Sequence, residues 1–98
     1  MIGFVGENSV KTVKASNAFV EKLTHTLNSE YRDIPIRVLG PSPAKISKVN
    51  NKYRYKILLK CRNDSRFRSM LASVLKHFSK INEFSDVTVF ADMHPLEL

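Results

Sequence analysis

The sequence predicts an α+β fold, a four-stranded antiparallel sheet with two helices on one face and a basic hairpin arm. Three observations carry this. Two stretches, residues 9–29 and 64–81, repeat their apolar residues at helical period. Four other stretches, starting at residues 2, 34, 44 and 87, have the length and apolar content of strands or strand pairs. Their order along the chain is βαββαβ, and 98 residues leave room for one domain, 1–98. With each helix acting as a crossover between strands, the arrangement is a ferredoxin-like split βαβ sheet. The first and third strands would be interior, the second and fourth would be edges, and the face away from the helices would stay open.

Residues 2–5 form the first strand. Asn8 or Ser9 can then cap a helix, because a short polar side chain accepts from the free N–H groups of the first turn. Val13, Val20, Leu23 and Leu27 form the apolar stripe of that helix, with Phe19 beside them. Residues 34–39 are the second strand. Pro35 near its start lacks an N–H and suits an edge position. Gly40-Pro41-Ser42-Pro43 makes a stiff extended bend, since a residue before proline is kept out of the helical region. The second helix opens at Asp64, its expected cap. Its stripe is Phe67, Met70, Leu71, Val74, Leu75, Phe78 and Ile81, with Arg66, Arg68, Lys76, His77 and Lys80 on the other face. Residues 87–92 form the last strand, and Pro95 ends it.

The stretch from Ala44 to Arg62 folds back on itself as a hairpin arm. Asn50-Asn51 suits a two-residue turn, since asparagine tolerates positive φ. That turn predicts the register. Lys48 faces Tyr53, Ser47 faces Arg54, Ile46 faces Tyr55, Lys45 faces Lys56 and Ala44 faces Ile57. Alternation then puts Ala44, Ile46, Tyr53, Tyr55, Ile57, Leu59 and Cys61 on one face. Lys45, Ser47, Arg54, Lys56, Leu58, Lys60 and Arg62 fall on the other.

Charge is the most informative property. The chain carries 16 basic and 9 acidic residues, a formal charge of +7. Between Asp33 and Asp64 there is no carboxylate, yet Arg37, Lys45, Lys48, Lys52, Arg54, Lys56, Lys60 and Arg62 all lie there. Charge that served only solubility would mix both signs, so this cluster points to an anionic partner. Lysine and arginine neutralise phosphates, and tyrosine can stack on unpaired bases. The candidate DNA-binding residues are therefore Lys45, Lys48, Lys52, Tyr53, Arg54, Lys56 and Lys60. Tyr53 falls on the apolar face but near the arm tip, where it could serve either the core or a base. The plainer reading of the arm is a solvated edge hairpin. A membrane surface is a poor fit for the second helix, because the core needs its apolar stripe.

Catalysis finds little support. None of the three glycines belongs to a phosphate-cradling G-x-x-x-x-G-K-[ST] loop. His25, His77 and His94 are far apart, and one cysteine cannot build a structural zinc site. Cys61 alternates onto the core face and reads as a small buried hydrophobe. As the lone cysteine it excludes an intramolecular disulfide, which fits a reducing, cytoplasmic setting. No metal or cofactor is expected in this chain. The abrupt apolar start reads as the end of a strand, as in a piece of something longer.

The sequence Gly40-Pro41-x-Pro43-Ala44-x-Ile46, followed by Lys52-Tyr53-Arg54-Tyr55-Lys56-Ile57-Leu58-Leu59, resembles the C-terminal domain of the primosomal protein N′ (PriA) family of bacterial replication-restart DNA helicases. The ending Asp92-Met93-His94-Pro95-Leu96 resembles the family's D-[VI]-D-P finish, with His94 in place of the second aspartate. The resemblance spans essentially the whole chain. It implies a non-catalytic, terminal DNA-binding domain of a 3′-to-5′, ATP-dependent helicase that recognises stalled forks and starts primosome assembly. ATP, magnesium and zinc would belong to the parent, whose helicase lobes would pack beside this domain. The resemblance also implies docking of the acidic C-terminal tail of the single-stranded DNA-binding protein, with Arg66 at the matching arginine position. Two other classes stay open on the residues alone. One is a stand-alone RNA-binding or ribosomal-type βαββαβ protein. The other is a docking module whose basic helix captures acidic tails.

Overall fold

The computed structural model describes residues 1–49, 51–62 and 64–92, and side chains outside 44–49. The elements are β1 (Ile2–Gly6), α1 (Ser9–Glu30), β2 (Arg37–Val49), β3 (Lys52–Lys60), α2 (Ser65–Phe78), a short 3-10 helix (Asn82–Phe84) and β4 (Thr88–Ala91). The strands lie in the order β2-β3-β1-β4, each antiparallel to its neighbour. This is the predicted βαββαβ arrangement. β1 and β3 are interior and β2 and β4 are the edges. Pro95 and the 93–98 ending lie outside the described residues.

Both helices start where the sequence places them. Asn8 Oδ1 accepts from the Lys11 N–H at 2.9 Å, and Asp64 Oδ1 from the Phe67 N–H at 2.9 Å. Each cap satisfies a backbone donor that the first turn leaves without a helical partner. The core lies between the helices and one face of the sheet. It gathers Ile2, Phe4, Ile57 and Leu59 from the sheet, Ala15, Phe19 and Leu23 from α1, and Phe67, Met70, Leu71, Val74 and Phe78 from α2. Four rings connect the layers. Phe4 meets Phe19 edge-on at 5.5 Å between centroids, Phe19 meets Phe78 edge-on at 5.4 Å, and Phe78 stacks on Phe84 at 5.6 Å. Edge-to-face pairs place the positive rim of one ring on the negative face of the next.

The structure corrects the expectation in four places. The buried face of α1 is Thr12, Ala15, Ser16, Phe19, Leu23 and Thr26, so Val13, Val20 and Leu27 flank it instead of forming its centre. The three hydroxyls can be buried because each donates to a carbonyl of its own helix. Thr12 bonds Asn8 O at 2.7 Å, Ser16 bonds Val13 O at 2.7 Å and Thr26 bonds Lys22 O at 2.9 Å. Helix α2 ends at Phe78, so Ile81 lies beyond it with 37% of its surface exposed. Phe84, from the 3-10 helix, takes the place in the core that the stripe assigned to Ile81. The second strand begins at Arg37 and runs through Gly40–Pro43 to Val49, so the expected bend is part of one long strand and Pro35 precedes it.

The fourth correction is the hairpin register. Val49 pairs with Lys52 and Lys48 with Tyr53, as the two-residue turn requires, and Asn51 has φ of 63°. Asn50 lies outside the described residues. Further from the turn the expected pairs fail. Tyr55 faces Pro43, not Ile46, and Lys56 faces Ser42, not Lys45. Between Pro43 and Lys48, β2 carries three residues more than β3 opposite it. A second shift, of one residue, lies between Leu39 and Ser42. Prolines 41 and 43 cannot donate to the ladder, so a regular register through this stretch would leave gaps in it. Gly40 has φ of +102°, a region that side chains rarely adopt, and a Cβ there would lie 3.0 Å from the Lys56 carbonyl oxygen.

Candidate nucleic-acid interface

The alternation expected for β3 holds. Tyr55, Ile57 and Leu59 face the helices, with Ile57 and Leu59 buried. Arg54, Lys56, Leu58 and Lys60 therefore point to the open face. Register carries the open face across the sheet. Lys56 lies opposite Gly3 and Arg54 opposite Val5 on β1, and Gly3 and Val5 lie opposite Phe90 and Thr88 on β4. On the other side, Leu58 lies opposite Leu39 and Lys60 opposite Arg37 on β2.

The four strands together carry Arg37, Lys45, Lys48, Lys52, Arg54, Lys56 and Lys60, and no carboxylate. Some cations of the helices do find acids. Lys11 pairs with Asp86 at 3.2 Å and Lys14 approaches Glu83 at 3.9 Å. Among the described residues, Arg37, Arg54, Lys56 and Lys60 stand in no ion pair. Arg37 and Lys60 are exposed and directly opposite, a like-charged cross-strand pair that costs stability unless an anion lies between them. Arg54 and Lys56 are half-buried.

The remaining candidates divide. Lys52 is exposed at the turn end, where a depression of about 190 Å³ also holds Glu7 and Asp86, so the surface there is of mixed sign. Tyr53 is half-buried and held between Gly6 of β1 and Lys48 of β2. Alternation puts it on the helix side, away from Arg54 and Lys56. Lys45 and Lys48 belong to β2, in the part whose side chains are not described. Arg37 was not among the residues singled out for binding. Its charge was visible in the sequence, but only the register shows that it stands opposite Lys60.

Arg66 lies elsewhere, in the first turn of α2. Its Nη2 donates to Asp33 Oδ1 at 2.7 Å, and its guanidinium carbon stands 5.1 Å from the centre of the Tyr31 ring. About half of the side chain, 51%, remains exposed. The residue thus already holds one carboxylate, on the loop after α1, over an aromatic face.

Among the described residues no three His, Cys, Asp or Glu side chains come together as metal ligands. Burial pushes the Cys61 thiol up, and nearby Asp64 adds to it, which disfavours the nucleophilic thiolate. No helix is long and apolar enough to cross a membrane among the described residues.

The family model described as the primosomal protein N C-terminal domain matches residues 4–96. The chain belongs to this family. A curated relative, the replication restart protein PriA of Bacillus subtilis (strain 168), is 28% identical over 75 residues. The match covers 76% of this chain and 9% of that protein, so the chain corresponds to a small part of its relative's length. The resemblance seen in Gly40–Ile46 and Lys52–Leu59 thus extends, in the family match, over nearly the whole chain.

Proposed function

We propose that this chain is the non-catalytic DNA-binding and partner-docking domain of a 3′-to-5′ DNA helicase that recognises stalled replication forks and initiates primosome assembly. It would act in the bacterial cytoplasm, beside the helicase lobes of its parent, which would supply ATP hydrolysis with magnesium and hold the zinc. The observation that carries this reading is a sheet with seven strand cations and no carboxylate. A polyanion is the partner such a surface lacks, and membership of the primosomal protein N family supports DNA as that polyanion. The test is charge removal. Replacing Arg54, Lys56 and Lys60 together with alanine should weaken binding to every DNA sequence alike. The slope of log affinity against log salt should shrink by about 0.9 per lost phosphate contact on duplex and about 0.7 on single strands. An unchanged slope would reduce the arm to a solvated hairpin.

Docking at Arg66 is a second part of the proposal, favoured by the carboxylate that Arg66 already binds. An acidic tail of the single-stranded DNA-binding protein would exchange with Asp33 there, near the N-terminus of α2, whose partial positive charge favours anions. Amide shifts on adding such a peptide should cluster at residues 65–70 and vanish in Arg66→Glu. Shifts centred on β3 would instead make the peptide a mimic of DNA phosphates.

A further inference from the structure

Phe90 is the only aromatic residue of β4, and it stands on the open face. Its cross-strand partner Gly3 is buried although it too lies on that face. What covers Gly3 is the Phe90 ring. A Cβ built on Gly3 would collide with Cζ of that ring and fall 2.5 Å from Cε1 and 2.8 Å from Cε2. The ring therefore lies down across β1 and fills the space that a side chain there would take. It rests on the sheet yet keeps part of its surface accessible.

The next residue in the same cross-strand line is Lys56. It is two strand spacings from Phe90, roughly 10 Å, and the ring, lying over Gly3, narrows that gap. Arg54 lies one pair along, beyond Val5. An accessible aromatic on an open sheet beside unpaired cations, with no strand carboxylate, fits an anionic ligand that also has a flat apolar part. A single-stranded nucleic acid has both. A protein surface would fit the apolar residues, but it would have to bring its own acids to meet Arg54, Lys56 and Lys60. A duplex keeps its bases stacked on one another and offers Phe90 nothing to stack on.

We propose that the open face of the sheet binds a single strand, with one unpaired base stacked on Phe90 and the adjoining phosphates held by Lys56 and Arg54. This rests on the DNA-binding reading above and adds to it which face is used and which form of DNA is preferred. Two probes separate the two levels, a labelled oligodeoxythymidylate and a blunt duplex of the same length, each titrated into the 98-residue chain at several salt concentrations. Phe90→Leu should lower affinity for the single strand by roughly 5- to 150-fold, the worth of one base–aromatic stack. Duplex affinity and both salt slopes should stay as in the parent chain. Phe90→Trp should restore single-strand binding. Because the chain has no tryptophan, the introduced indole is its only one, and the oligodeoxythymidylate should quench its fluorescence. Unchanged single-strand affinity in Phe90→Leu, or an equal loss on both probes, would overturn the stacking role while leaving DNA binding in place. An unquenched indole at saturating oligodeoxythymidylate would do the same. Failure of the parent chain to bind either probe would overturn both levels together.

Discussion

Arg66 Nη2 and Asp33 Oδ1 are 2.7 Å apart, which joins the first turn of α2 to the loop that leaves α1. The hydrogen bond from Arg66 is the main reason that the Asp33 carboxyl is held below its usual range, followed by a bond to its own backbone N–H. The sign of the linkage follows. A depressed carboxylate contributes stability above its unfolded value and loses it as pH falls through the folded value. The pair is solvent-exposed, so its contribution is small and sensitive to salt. Following the Asp33 carboxyl carbon by NMR should show titration at lower pH than ordinary aspartates. Arg66→Ala should bring it back to the ordinary range.

The same contact sets up a competition. If an acidic tail exchanges with Asp33 on Arg66, then Asp33→Asn should tighten the binding of that tail severalfold, since the resident carboxylate no longer opposes it. Calorimetric titration of the peptide into both chains gives the comparison. Weaker binding in Asp33→Asn would mean that Asp33 positions Arg66 for the partner instead of competing with it.

Gly40→Ala should destabilise the domain by about 1–3 kcal/mol, the usual cost of a side chain in a disfavoured backbone region. Two effects act there, the φ of +102° and the 3.0 Å approach of a new Cβ to the Lys56 carbonyl. Urea unfolding measures it. The added strain falls where β2 meets the Lys56–Ile57 part of β3, so DNA affinity should fall with it.

Phe19 stands at the centre of the ring series, touching Phe4 of the sheet and Phe78 of α2. Phe19→Ala should cost about 3–5 kcal/mol. Small domains have total stabilities from about 5 kcal/mol upwards, so this variant should be largely unfolded on warming. Phe19→Leu should lose less and keep a cooperative transition. Thermal melts followed by circular dichroism distinguish the two.

Asp64→Ala removes the acceptor that satisfies the Phe67 N–H and should cost about 1 kcal/mol, whereas Asp64→Asn should be close to neutral. Equal losses in the two variants would point to charge, not capping, as the contribution of Asp64.

The strand order was legible because the apolar pattern changes from helical period to alternation at nearly the right places. The face assignment of β3 was legible because Tyr55, Ile57 and Leu59 alternate with Arg54, Lys56 and Lys60. The face of α1 was not, because Thr12, Ser16 and Thr26 read as polar while their hydroxyls are satisfied within the helix. The register beyond Pro43 was not, because a turn fixes only the pairs next to it, and extra residues further along leave no mark in hydropathy. Of the candidate site, the cations were visible as composition. The approach of Arg37 to Lys60 and of Phe90 to Gly3 depends on cross-strand register, which sets distant parts of the chain side by side. Asp33 as the partner of Arg66 was invisible for the same reason.

The extra residues in β2 bear on how the domain behaves in company. An edge strand is an invitation to another chain, because its outward N–H and C=O groups have no neighbour. β2, 13 residues long, would be a generous one if it were regular. Instead it carries two prolines without N–H groups, Pro41 and Pro43, and two breaks in spacing against β3. A foreign strand laid along it would lose step at each break and find donors missing between them. The opposite edge, β4, pairs over only four residues. A sheet that leaves one face open is thereby kept from growing sideways, so crowding many copies together along one ligand need not seed a fibre.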